Sequence, residues 1–279
     1  MEIIRSAETM AEWSRKARPE GKTIGLVPTM GALHEGHISL IDKARRENDL
    51  LVVSIFVNPL QFAPGEDYDL YPRDEEGDLA ITKKAGADAV FIPDITTFSA
   101  GEKTTISVQG MNKLLCGKSR PTHFDGVTTV VAKLFNVVVP SRAYFGEKDF
   151  QQLVIIKKMV ADLRIPVEVI ACPIVREDGG LAMSSRNRYL DSDERIRALS
   201  LRKGILSAQK IAKEGIRESK KIEESVKSIL QEANATIDYV SICHPDTLNG
   251  IDHLDGPARI LVAAKIGKTR LIDNDKLEV

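Results

Sequence analysis

Residues 50–57 read LLVVSIFV, a run rich in β-branched side chains, interrupted only by Ser54 and with no charge in it. A strand apolar on both sides of its pleat has to be covered on both faces, which is the situation of a central strand in a parallel sheet sandwiched by helices. Its surroundings supply the rest of such a sheet. Thr23–Pro28 predicts a strand, residues 29–37 a glycine-bearing turn, and Ile38–Glu47 a helix with Leu40, Ile41 and Ala44 turned inward. The apolar run stops at Asn58-Pro59; after a polar, proline-bearing stretch, Arg73–Ala85 predicts a helix and Asp88–Ile92 a third strand. Asp125 stands as N-cap of a further helix whose Val127, Val130, Val131, Leu134 and Val138 recur at helical spacing until Pro140. Arg142–Gly146 predicts a short strand, Asp149–Leu163 a helix with Leu153, Ile156, Val160 and Leu163 inward, and Val167–Ala171 one more strand. This alternation over residues 1–174 predicts an α/β domain on a parallel sheet.

From Val175 onward the pattern changes. Asp191–Glu214 and Glu218–Ala233 predict long, charge-laced helices, and Ile237–Cys243, Ile260–Lys265 and Thr269–Ile272 short strands, so residues 175–279 predict a second, smaller α+β domain. A chain of 279 residues is long enough for two domains. The Lys and Glu residues of those helices read as a solvated face. Lys+Arg total 39 against 40 Asp+Glu, and a net charge of −1 creates no field to gather nucleic acid or an anionic membrane. No stretch approaches the ~20 apolar residues of a membrane span, and MEIIRSAETMAEW lacks the apolar centre of a signal peptide. Cys116, Cys172 and Cys243 are odd in number and far apart, without zinc or redox spacing, which fits a reducing cytoplasm.

Several familiar motifs fail on inspection. Gly117-Lys118-Ser119 resembles the end of a phosphate-binding P-loop, but Asn112 stands where its first glycine belongs. His34 and His37 are three apart across Gly36, whereas a zincin helix needs them four apart. What survives is Pro28 to His37, PTMGALHEGH, between a strand and a helix. There the helix N-terminus, two imidazole donors and two glycines suit nucleotide phosphates, although a tight turn with incidental histidines has the same local appearance. Gly146 to Gln152, GEKDFQQ, is a second strand-to-helix junction, with Lys148 and Gln152 on one side of the new helix. Met183-Ser184-Ser185-Arg186 pairs two hydroxyls with a guanidinium, a combination suited to phosphate or to an ordinary polar loop. Asn58 and Gln61 place two amides at a strand end, where they could orient a hydroxy acid without neutralising its carboxylate.

Taken together, PTMGALHEGH, SIFVNPLQF, RPTHFDGV, FGEKDFQQL and LAMSSRN resemble the pantothenate synthetase family from about Ile24 to Leu190. The first of them is similar to the HIGH motif of class I nucleotidyltransferases. The resemblance implies a Rossmann-like domain followed by a C-terminal lid domain, a homodimer, and magnesium-dependent condensation of ATP, (R)-pantoate and β-alanine. The products are AMP, pyrophosphate and pantothenate, formed through a pantoyl-adenylate. It also implies an ATP-contacting loop of Met30, Gly31, Ala32, Leu33, His34, Glu35, Gly36 and His37, with His37 as the proton donor. Gly146, Glu147, Lys148 and Asp149 match a second nucleotide segment, Val175 an adenine contact, and Met183, Ser184, Ser185 and Arg186 a third. Gln61 and Gln152 match pantoate-holding glutamines. His34, Lys148 and Arg186 join His37 in neutralising phosphate charge. The metal ligands are not legible. The competing expectation is a nucleotidyltransferase that adenylates a phosphorylated substrate and needs no amine.

Overall fold

The computed structural model describes residues 1–17, 21–98, 101 and 103–278. The chain forms two compact units: residues 1–112, 120–147 and 155–173 make one, and residues 113–119, 148–154 and 174–279 the other.

Among the described residues, the first unit carries six parallel strands: β1 (Glu2–Ile4), β2 (Ile24–Thr29), β3 (Leu50–Ile55), β4 (Ala89–Phe91), β5 (Arg142–Gly146) and β6 (Glu168–Cys172). Their order is β1-β4-β3-β2-β5-β6. Registers place Leu26 opposite Val52 on one side and opposite Ala143 on the other. Burial follows the sequence pattern of β3: Leu51, Val52 and Val53 are all fully buried, so both faces of the strand are covered. Fully burying each such side chain contributes about 1.5–3 kcal/mol. After helix α1 (Ala7–Ala17), helix α2 (Glu35–Glu47) packs Leu40, Ile41 and Ala44 with Val27, Val53 and Val90 on one face.

Helix α2 runs from Glu35 to Glu47, three residues earlier than the sequence pattern suggests, because His34 caps it and draws Glu35-Gly36-His37 into its first turn. Helix α3 spans Glu75–Lys84 behind the cap of Asp74. Helix α4 spans His123–Val138, so Asp125 lies inside its first turn and is not the N-cap; its carboxylate accepts from Asn112 Nδ2 at 3.0 Å. Helix α5 spans Phe150–Asp162, which leaves Leu163 beyond it and 54% exposed, while Met159 supplies the buried contact. The β1–α1 segment escaped the sequence reading because a three-residue strand carries too short a pattern to register.

The second unit pairs β7 (Thr236–Cys243), β8 (Ala258–Ile266) and β9 (Thr269–Leu277) as an antiparallel sheet in that order. Helices α6 (Ser192–Lys213) and α7 (Ser219–Glu232) supply Leu201, Ile205, Ile222, Val226 and Leu230 to its core. An Asp191–Glu194 capping box starts α6. Strands β8 and β9 run longer than their apolar stretches, since β9 continues through the polar Asp273-Asn274-Asp275. The three cysteines are buried and unpaired; burial pushes the Cys172 thiol up to about 11 and that of Cys243 to about 12. Among the described residues no helix is long and apolar enough to cross a membrane.

Candidate active site

Strand order reverses between β2 and β5: from β2 the chain steps outward through β3 and β4, then returns to the other side of β2 for β5 and β6. Loops leaving the carboxyl ends of two such neighbouring strands diverge and open a crevice, the usual ligand position in a parallel sheet. The motif loop 30–34 leaves β2 there, and Gly146-Glu147 ends β5.

The β2 loop turns its amides inward. Gly31 (φ +82°) and Ala32 (φ +50°) both take left-handed backbone conformations, costly for alanine and natural for glycine. Gly31 N–H donates to Thr29 Oγ1 at 3.2 Å, and Thr29 Oγ1 donates to the Ser54 carbonyl at 2.8 Å. Ala32 and Leu33 N–H donate to the two oxygens of Asp78, at 2.8 and 2.7 Å. Asp78, in the first turns of α3, is only 2% exposed, and a side chain at Gly31 would collide with it. The amides of residues 31–33 are therefore committed within the protein. At the start of α2 the positive end of the helix dipole coincides with two imidazoles. The rings of His34 and His37 lie 4.1 Å apart between centroids. His34 Nδ1 accepts from Gly36 N–H at 3.1 Å and His37 Nδ1 from His34 N–H at 3.4 Å. With Nδ1 an acceptor, each neutral ring carries its proton on Nε2, the nitrogen that can then donate.

A second cluster gathers at the end of β3. Asn58 is 1% exposed and its amide is spent locally: Oδ1 accepts from Leu60 N–H at 3.1 Å, and Nδ2 donates to the Gly126 carbonyl at 3.0 Å and to Gln61 Oε1 at 3.3 Å. Gln61 Nε2 in turn meets Met30 Sδ at 2.7 Å, joining this turn to the β2 loop. The Gln61 main-chain carbonyl accepts from His123 Nδ1 at 2.8 Å and Arg120 Nη2 at 3.1 Å. Arg120 also grips Glu66 with both carboxylate oxygens, at 2.6 and 2.7 Å. Burial tends to raise the Glu66 carboxyl, but the bonded Arg120 guanidinium outweighs it and holds the group below its ordinary range. Gly126 closes the cluster: an added Cβ would sit 2.3 Å from the Leu60 carbonyl oxygen, so at this point α4 and the 58–61 turn meet backbone to backbone.

In the second unit, Lys148 occupies a single 3-10 turn before α5, half-buried, with Nζ 3.7 Å from Asp149 Oδ2. Gln152, also half-buried, follows on the first turn of α5 (Phe150–Asp162). Its neighbour Gln151 faces inward and is committed to Cys116 N–H at 3.0 Å and the Leu114 carbonyl at 2.8 Å. Val175 and Met183 are brought together across a hairpin, Met183 N–H donating to the Val175 carbonyl at 2.9 Å. Ser184 caps the next 3-10 turn by accepting Arg186 N–H at 3.3 Å, and Ser185 is buried. Asn187 Nδ2 bonds Glu177 Oε1 at 2.7 Å and the Ala182 carbonyl at 3.1 Å, fixing the turn to the hairpin. Among the described residues no three His, Cys, Asp or Glu side chains form a metal-binding group.

The sequence reading gives no individual role to Asp78, or to Arg120, His123 and Gly126 of the RPTHFDGV segment. Gly126 had a usable signal, since an interior helix glycine costs about 1 kcal/mol against alanine and usually marks close approach. Asp78 had none, being an acid in the first turns of a helix, where acids are common.

The pantoate-beta-alanine ligase family model matches residues 2–276. Pantothenate synthetase of Acetivibrio thermocellus is 51% identical, covering 100% of both chains, and that of Aquifex aeolicus is 50% identical over 99% of each. Among solved structures, pantothenate synthetase from Thermus thermophilus matches with a TM-score of 0.94 at 42% identity over 100% of both chains. Pantoate-beta-alanine ligase from Francisella tularensis, complexed with beta-gamma ATP and beta-alanine, matches with a TM-score of 0.83 at 36% identity, covering 100% of this chain and 98% of that one.

Proposed function

This chain belongs to the pantoate–β-alanine ligase family, and from that membership we infer that it condenses pantoate with β-alanine at the expense of ATP. The observation that carries the reading into chemistry is the close, tilted His34–His37 ring pair at the start of α2, beside the reversal in strand order.

A pantoate carboxylate oxygen attacks the α-phosphorus of ATP, pyrophosphate leaves, and a pantoyl-adenylate remains. The β-alanine amine then attacks the acyl carbon, AMP leaves with the bond electrons, and the amine loses a proton. The first step brings an anion to a polyanion, so positive charge and hydrogen-bond donors decide its rate. We assign those roles to Lys148, Arg186 and the Nε2–H groups of His34 and His37. A ring that accepts a backbone N–H at Nδ1 is suited to donate at Nε2, which favours a donor role over proton transfer for His37. Magnesium belongs to the reading as part of the MgATP substrate, where it neutralises phosphate charge; it is commonly held by substrate phosphates.

Gln61 and Gln152 are assigned to pantoate, with Asn58 acting behind Gln61 as the residue that orients its amide. Gly146, Glu147, Asp149, Val175, Met183, Ser184 and Ser185 are assigned to the nucleotide. A homodimer in the cytoplasm completes the reading, on the family resemblance and on the unpaired cysteines.

Incubation with MgATP and pantoate, with and without β-alanine, should give AMP, pyrophosphate and pantothenate together only when all three substrates are present. Release of pyrophosphate with full turnover in the absence of any amine would favour a simple nucleotidyltransferase. Because the adenylate forms first, positional isotope exchange in ATP should proceed with pantoate alone. Exchange that needs β-alanine, measured with pyrophosphate rotation unhindered, would rule out the stepwise scheme.

Gln61→Ala should raise the pantoate KM much more than the ATP KM, because a neutral amide orients a hydroxy acid and adds no charge for phosphate. Initial rates with each substrate varied separately test this; equal effects on both would remove Gln61 from acid recognition.

A further inference from the structure

Strand β9 carries two adjacent polar residues that are almost wholly buried, Asp273 at 3% exposure and Asn274 at 2%. Adjacent strand residues face opposite sides of a sheet, so the pair reaches two separate neighbours. On one side Asp273 receives Arg176 in a two-point ion pair, at 2.7 and 3.0 Å. Arg176 also donates to the Gly180 carbonyl at 2.9 Å and bridges Ala182, so its position sets the hairpin whose ends are Val175 and Met183. On the other side Asn274 Nδ2 donates to the Lys148 carbonyl at 3.0 Å. Its Oδ1 accepts from Arg259 Nε at 2.6 Å, and the Arg259 guanidinium lies 3.9 Å above the Phe150 ring. An arginine can only donate, so the Asn274 amide is fixed with its oxygen toward Arg259 and its NH₂ toward Lys148.

Stability does not account for this arrangement. Asp and Asn are poor strand residues, and a buried ion pair commonly contributes no more than well-packed aliphatic side chains of the same volume. What a fully satisfied polar pair supplies is a unique geometry for the groups bonded to it. Both groups here are irregular turns: the single 3-10 turn of Lys148 and the hairpin leading into Met183–Arg186.

We propose that Asp273 and Asn274 are positioning residues for adenylate formation, Asn274 acting through Lys148 and Asp273 through the segment that ends in Arg186. The proposal rests on the assignment of Lys148 and Arg186 to ATP given above. Neither residue of the pair touches a reacting atom; each sets where a cationic side chain is delivered, and a misplacement of ~1 Å costs about a hundredfold in rate.

The test is a pair of double-mutant cycles read by pantoate-dependent pyrophosphate release, with thermal unfolding as the control for folding. Asn274→Asp is isosteric, keeps the acceptor for Arg259 and removes the donor to Lys148. It should lower kcat at least about tenfold in the parent and no more than about threefold in a Lys148→Ala background, because the route it acts through is already gone. Asp273→Asn should raise the ATP KM at least about fivefold and leave the pantoate KM within about twofold, with the effect again absorbed by Arg186→Ala. Losses that multiply in both cycles while the variants stay folded would overturn the proposal and leave the Lys148 and Arg186 assignments standing. A harmless Lys148→Ala would overturn the Asn274 arm together with the lysine assignment. Should Asn274→Asp fail to fold, the Asp273 cycle decides on the same criterion.

Discussion

Lys148→Ala should slow pantoyl-adenylate formation at least about a hundredfold while the protein stays folded. The expectation follows from size. Loss of one preorganised electrostatic donor costs ~2.7–4 kcal/mol of transition-state stabilisation, whereas loss of a surface lysine costs well under ~1 kcal/mol. The ion pair of Lys148 with Asp149 is a loose one at 3.7 Å, beyond hydrogen-bond length, so it does not lock the ammonium into the fold. Removing the side chain leaves the turn in place, because that turn is held from behind through the Lys148 carbonyl. Lys148→Arg should rescue only in part, since a planar fork does not reproduce a compact ammonium. Single-turnover formation of AMP from pantoate and ATP measures the step directly. A folded alanine variant within about threefold of the parent would return this lysine to an ordinary solvated turn.

Asp78→Asn should have a comparable effect by a different route. The Asp78 carboxylate holds Ala32 and Leu33 N–H in a site that water does not reach, and each charge-assisted bond contributes about 1.5–3 kcal/mol. Asparagine keeps the shape but presents an NH₂ to one of those N–H groups. The loop, already in left-handed backbone at Gly31 and Ala32, then loses the contact that keeps it there, and His34 and His37 move with it. A displacement of ~1 Å predicts a drop in kcat/KM for ATP of about a hundredfold, with pantoate binding measured by calorimetry nearly unchanged. Wild-type kcat/KM in a folded Asp78→Asn variant would show that the loop holds itself.

The parallel sheet was legible because its evidence is local and repeated: an apolar run such as Leu50–Ile55 can be satisfied in few ways, and neighbouring helices carry their own period. The junction between β2 and α2 was legible for a related reason, since glycine, histidine and the end of an apolar run coincide within ten residues. What escaped is non-local. Asp125 carried the composition of an N-cap, but the helix starts before it at His123, and its carboxylate goes to Asn112, thirteen residues away. Asp78 meets Leu33 across 45 residues, and Asp273 meets Arg176 across 97. Polar residues in such roles look, in sequence, like the solvated acids that surround them. Leu163 failed in the opposite sense: helical spacing assigned it inward, but the helix stops at Asp162 and the residue follows the chain outward.

The backbone contact between Gly126 and Leu60 bears on the entropy of binding. Where two elements meet through side chains, rotamers and small relative motions survive in the free protein and are lost when a ligand arrives, at about 0.5–1.5 kcal/mol for each immobilised side chain. Here the approach of Gly126 to Leu60 has no side chain to order, and the side chains around it are already bonded: Asn58 and Met30 hold the Gln61 amide, while His123 and Arg120 donate to the Gln61 main-chain carbonyl. The ordering has been done during folding. A small, polar acid with few atoms to contribute can then be recognised through two or three bonds, because little of what those bonds yield is consumed in arranging the groups that make them.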